Sequence, residues 1–132
     1  MALGILGFKV PKPQYLLVII LYTFSRKNSV AIISGIRYII HDKRAYNYLV
    51  VIQPFSSRFG FKYTLPLIRE KNHYAPIEFK LLRDYGKECI DPLAPYTHLI
   101  KWKNFCYSDM MCYELTDIGF RYKLKSKIDF FI

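Results

Sequence analysis

Two runs rich in β-branched and aromatic residues, VAIISGIRYII (Val30–Ile40) and YLVVIQPF (Tyr48–Phe55), flank the short polar segment HDKRAYN. This pattern leaves the chain few choices. Two apolar runs of strand length with a brief polar break fold back most simply as antiparallel strands. A helix followed by a strand is the alternative, because Ile32, Ile36, Ile39 and Ile40 would share one helical face. Against it, Gly35 weakens a helix by ~1 kcal/mol, and the density of Ile and Val favours a pleated surface. The spacing therefore predicts two strands, the second stopped by Pro54, with Lys43 and Arg44 near the tip.

The flanking segments extend this plan. Pro11 closes an extended FKV segment, and Pro13 suits the first turn of a helix over Gln14–Arg26. That helix is apolar nearly all round, which predicts deep burial, and Lys27-Asn28-Ser29 breaks it. RFGFKYTLPLI alternates as a third strand. APIEFKLLRDYG reads as a helix with Pro76 at its start and Gly86 as its stop. After the linker DPLAP, THLIKWKNF reads as a strand and SDMMCYEL as a short helix capped by Ser108 or Asp109. FRYKLKSKIDFFI reads as one or two closing strands. The order predicts an α+β protein of two small lobes. Residues 1–70 would pack an N-terminal helix on an antiparallel sheet, and residues 71–132 would form a β-rich lobe with one or two short helices.

Charge then narrows the function. The formal net charge is +10 in 132 residues, which favours an anionic partner. Residues 1–69 hold ten basic side chains against the single acid Asp42, a net of +9, whereas residues 70–132 are nearly balanced. A surface made basic only for solubility would mix the signs more evenly. Cys89, Cys106 and Cys112 are odd in number and form no C-x-x-C pair, as expected of free thiols in a reducing compartment. His98 with Cys106 and Cys112 matches no recurrent zinc spacing, so neither metal nor cofactor is expected. The longest apolar run, Tyr15–Phe24, has ten residues, short of the ~20 a membrane-spanning helix needs, so no membrane insertion is expected. MALGILGFKVPKPQ has neither a charged leader with a cleavage site nor the character of an import presequence. A protein working in an organelle would then be made there.

No phosphate-cradling glycine loop, nucleophile elbow or H-E-x-x-H motif is present, and no small-molecule substrate or enzymatic activity is expected. The recurrent pattern is basic residues interleaved with aromatics, in RAYNY, RFGFKY, IKWKNF and FRYKLK. Arg and Lys neutralise phosphates, and Trp, Tyr or Phe stack on unpaired bases. Strand alternation alone would place aromatics inward and bases outward, which is the structural account of any one such segment. Together they nominate Arg37, Lys43, Arg44, Arg58, Lys62, Lys101, Trp102, Lys103, Asn104, Arg121 and Lys123 as RNA-binding residues.

Read in order, FKVP (Phe8–Pro11), LLVIILY (Leu16–Tyr22), IISGIRYI (Ile32–Ile39) and YLVVIQPF (Tyr48–Phe55) resemble the small-subunit ribosomal protein eight family of bacteria and organelles. LIREKNHYAPIEFKLL (Leu67–Leu82) is similar to the stretch that follows in that family. Where the family has a Ser-Thr-Ser loop this chain has Lys101-Trp102-Lys103, and where it has Gly-Gly-Glu this chain has Gly119-Phe120-Arg121. The family's first helix has only MALGILGF to represent it. The resemblance implies a divergent, mitochondrial, ribosome-bound protein of the matrix, with a cytoplasmic location as the alternative. Its partners would be ribosomal RNA and neighbouring ribosomal proteins, with charge and stacking at Lys101–Asn104 replacing hydroxyl contacts.

A second reading starts from CYELTDIGFRY (Cys112–Tyr122), which resembles the Y-x-L-T-x-x-G of winged-helix DNA-binding regulators. It requires a helix across Val30–Ile40 and predicts docking in a DNA major groove. A third makes the chain a subunit of a membrane-associated complex, its charge facing acidic partners or lipid headgroups.

Overall fold

A computed structural model describes residues 12–132, without the side chains of residues 12–15 and Arg37. The extended segment expected at Phe8–Val10 and the first-helix counterpart MALGILGF lie outside the described residues. The chain is α+β, as expected. Helix α1 (Lys12–Asn28) is followed by β1 (Ile32–His41), β2 (Arg44–Ser56) and β3 (Lys62–Glu70), which form one antiparallel sheet in the order β1-β2-β3. After α2 (Pro76–Asp84), β4 (Leu99–Trp102) and β5 (Phe105–Ser108) make a hairpin, and β6 (Phe130–Phe131) adds in parallel to β5. A 3-10 turn (Cys112–Thr116) and α3 (Ile118–Leu124) lie between β5 and β6.

The ambiguous run is a strand. β1 and β2 meet across the two-residue link Asp42-Lys43, with His41 opposite Arg44. The winged-helix reading needs a helix where β1 runs, and that helix is not formed. Gly35 sits opposite Leu49 in β1, and a register shift follows between Ile36 and Ile39. Strand β2 is central, so its residues alternate between two interiors. Val50 and Ile52 face α1, packing with Ile36, Ile39, Val18, Leu21 and Tyr22. Leu49 and Val51 face the second sheet and pack with Ile100, Tyr107 and Trp102. Ala45 joins Tyr74, Leu82 and Cys89 beneath α2.

The expected deep burial of α1 is not found. Val18, Leu21 and Tyr22 meet the sheet, but Leu16, Ile19, Ile20 and Phe24 are exposed. One helix laid on a sheet can bury only the stripe that faces it, and apolar residues elsewhere stay outside unless another layer covers them. No helix among the described residues is long and apolar enough to cross a membrane. Three further expectations change in the second half. THLIKWKNF is a tight hairpin, because Lys103 takes the left-handed backbone (φ 54°) and turns the chain between Trp102 and Phe105. FRYKLKSKIDFFI forms most of α3 and the short β6. Asp117 caps α3, its side chain accepting from the Phe120 N–H at 2.9 Å. Neither Ser108 nor Asp109 caps a helix, since Ser108 lies in β5 and Asp109 is drawn inward by a buried cation.

That cation is Arg69 in β3, which ties the first sheet to the segment after β5. It is 1% exposed, and Nε donates to Asp109 Oδ2 at 3.0 Å. Nη1 and Nη2 donate to Glu114 Oε1 and Oε2 at 2.9 and 2.6 Å, a bidentate fork, and Nη2 also reaches the Asp109 carbonyl at 3.0 Å. Burial disfavours the charge on Arg69, but its bonds to Glu114 and the charge of Asp109 outweigh this and raise its pKa. Burial likewise opposes the Asp109 carboxylate, yet the hydrogen bond from His98 and the charge of Arg69 hold it well below the ordinary range. Tyr107 adds a second tie, donating to Gln53 Oε1 at 2.7 Å inside the interior.

Candidate nucleic-acid interface

The sheet is uneven at one end, and a basic cleft lies there. Strand β1 begins opposite Ile52, so the remainder of β2, Gln53–Ser56, pairs with β3 alone. Pro54 fits this place, since a residue without an N–H suits a strand segment that lacks a partner on one side. Helix α1 stops just short of the gap. Ser29 adopts the left-handed backbone (φ 55°), and the Val30 N–H returns to the Ser25 carbonyl at 3.3 Å. Arg26 and Lys27 occupy the last helical turn, where they offset the negative end of the helix dipole. From the second sheet, the β4–β5 hairpin brings Lys101, Trp102 and Lys103 to the same opening.

The result is a cleft of about 360 Å³ walled by α1, the end of β2, the start of β3 and the β4–β5 turn. Arg26, Lys62, Lys101 and Lys103 line it, and among the described residues no carboxylate does. Lys62, Lys101 and Lys103 are exposed. Such an unbalanced group of cations repels itself in the free protein, and an anion relieves that repulsion. Aromatic surface lies between the charges. The Phe55 and Tyr63 rings stack with centroids 5.6 Å apart. Trp102 is half-buried against the Leu49–Val51 interior, and Lys103 Nζ lies over its ring, 4.7 Å from the centroid. A cation over an exposed aromatic face is worth about 0.5–1 kcal/mol, so a stronger stacking partner can displace it.

The cleft also contains a polar group with no partner. Thr64 is 8% exposed, and its buried hydroxyl makes no hydrogen bond among the described residues. The expected alternation of β3 is reversed here. Thr64 is buried, whereas Phe59, Phe61, Tyr63 and Leu65 are exposed.

Four residues expected from the sequence, Lys62, Lys101, Trp102 and Lys103, thus come together. The others do not join them. Arg44 faces inward: it pairs with Glu70 at 3.4 Å, donates to the Ile90 carbonyl at 3.3 Å and lies over the Tyr46 ring. Lys43 is exposed at the β1–β2 turn and Arg58 at the β2–β3 turn. Asn104 is exposed beside Lys103, and Lys123 is exposed on α3. Arg121 lines a separate cleft of about 410 Å³ between α3 and the closing strand, which Lys125 and Asp129 also line. Arg37 lies outside the described side chains. Sequence reasoning missed Arg26, Phe55, Tyr63 and Thr64. Pro54 was the available signal, since a proline inside a strong strand marks where that strand becomes an edge.

Set against protein-family models, curated proteins and solved structures, the chain matches none of them.

Proposed function

We propose that this protein is a structural, non-catalytic RNA-binding component of a ribonucleoprotein, the small ribosomal subunit that its sequence resemblance implies. The observation that carries this reading is the cleft of Arg26, Lys62, Lys101 and Lys103, interleaved with Phe55, Tyr63 and Trp102 and free of lining carboxylates among the described residues. Cations at this density neutralise successive phosphates, and the aromatics add contacts a simple anion would not use. The Lys-Trp-Lys turn that stands where the family has Ser-Thr-Ser supplies half of these cations. Neighbouring ribosomal proteins would complete the set of partners, and a mitochondrial location belongs to the same proposal.

The test has two arms. The tagged protein expressed in its own cells should cosediment with small ribosomal subunits, and recovery only in free or membrane fractions would overturn the ribosomal assignment. In vitro, RNA affinity should fall with salt, at about 0.7 in log–log slope per phosphate contacted on a single strand. Lys101→Ala with Lys103→Ala should then flatten the slope by about 1.4. An unchanged slope would place the contact elsewhere.

A further inference from the structure

We infer that the cleft between the first sheet and the β4–β5 hairpin holds one unstacked nucleotide of a single-stranded RNA segment, its base against Trp102 and its backbone among Lys62, Lys101 and Arg26. This rests on the RNA-binding reading above and specifies the form of RNA taken. The size of the cleft is the first argument. About 360 Å³ lies at the small end of the ~300–1,000 Å³ typical of ligand clefts, which suits one nucleotide unit. Chemistry is the second. A duplex keeps its base faces stacked on one another and has none to offer Trp102, whereas an unpaired base does.

The present occupant of the tryptophan face supports the exchange. Lys103 covers the Trp102 ring, and Lys103 is exposed and held only by that contact among those described. When a base takes the ring face, the Lys103 ammonium is released towards the adjoining phosphate. One residue thus shields the aromatic face in the free protein and neutralises charge in the complex. The walls come from both sheets, so the site exists only when the β4–β5 hairpin is docked beside the end of β2.

Trp102 is the only tryptophan in the chain, which makes it a direct reporter. Emission excited beyond tyrosine absorption is followed while short single-stranded oligoadenylate is added, with an RNA duplex of the same length in parallel. The expected result is saturable quenching by the single strand and little by the duplex. Trp102→Leu should weaken single-strand binding on the order of tenfold without changing the salt slope. Trp102→Phe, which keeps an aromatic ring against the interior, should lose less. Single-strand binding whose slope responds to Lys101→Ala with Lys103→Ala, but with unchanged Trp102 emission, overturns the nucleotide site and leaves the RNA reading standing. Equal quenching by duplex and single strand overturns the preference for unpaired RNA. Absence of binding to either RNA overturns both readings.

Discussion

Arg69→Met tests how the first sheet is joined to the segment after β5. Methionine approximates the length of the arginine stem but leaves Asp109 and Glu114 facing each other without the guanidinium between them. Arg69 and Asp109 have fully buried side chains, and that of Glu114 is 3% exposed, so water cannot replace what is lost. Removing one partner of a buried ion pair costs about 3–5 kcal/mol, because the remaining charge stays desolvated. Total stability for a domain of this kind is about 5–15 kcal/mol, so the variant should fold but melt at clearly lower urea. Fluorescence of Trp102 and far-ultraviolet circular dichroism, followed together through a urea titration, measure the difference.

The pH dependence gives the same prediction a sign. In the wild type, Asp109 is held below the ordinary carboxylate range despite its burial, chiefly by His98 and Arg69. A depressed carboxyl stabilises the fold fully above its unfolded pKa, near 3.8, and loses that stabilisation as pH falls through its folded value. Without Arg69, burial and the neighbouring Glu114 charge push Asp109 upward. The variant then takes up a proton on folding in a range where the wild type does not, so the deficit should narrow as pH falls from 7 towards 4. A loss below about 1 kcal/mol at pH 7 would refute the reasoning that this is a buried, uncompensated charge. A deficit independent of pH would refute the titration argument.

Two other substitutions probe the interior and the turn. Tyr107→Phe leaves Gln53 Oε1 without its donor in the interior and should cost about 1–2 kcal/mol in thermal or urea unfolding, a loss under a few tenths counting against the tie between the sheets. Lys103→Gly relieves a left-handed backbone that a side chain resists by about 1–2 kcal/mol, so it should stabilise the free protein. The same change removes one cation and should flatten the salt dependence of RNA binding by about 0.7; a destabilised variant with an unaltered slope would contradict both halves of the argument.

What the sequence disclosed follows the range of the interactions. The β1–β2 hairpin, β3 and α2 were legible because their signals are local: alternation, Pro76 at a helix start, and Gly86 at φ 65° as its stop. The β4–β5 turn was missed because it depends on Lys103 adopting a backbone usually left to glycine or asparagine. The exposed face of α1 was missed because an all-apolar helix does not say how many layers will cover it. Lys101, Trp102 and Lys103 were legible as a basic-aromatic segment. That they meet Lys62 and Arg26 depends on where β1 begins relative to β2, a register no local pattern encodes.

The uneven charge of the sequence acquires a different meaning once these contacts are known. The excess in residues 1–69 pointed to binding by the N-terminal lobe, whereas the family resemblance pointed to Lys101–Asn104 in the C-terminal one. Part of that excess is internal. Arg69 answers Asp109 and Glu114 across the shared interior, and Arg44 answers Glu70 within its own sheet, so part of the first-half charge is already neutralised inside the fold. Within the second half, Lys71 and Glu78 neutralise each other in the same way. Counting charge by segment therefore counts groups that no ligand can reach. The cations left in the cleft come equally from its two sides, Arg26 and Lys62 from α1 and β3, and Lys101 and Lys103 from the β4–β5 hairpin. The two indications describe opposite walls of one cleft, and the buried Arg69 network, by tying the first sheet to the segment after β5, sets those walls facing each other.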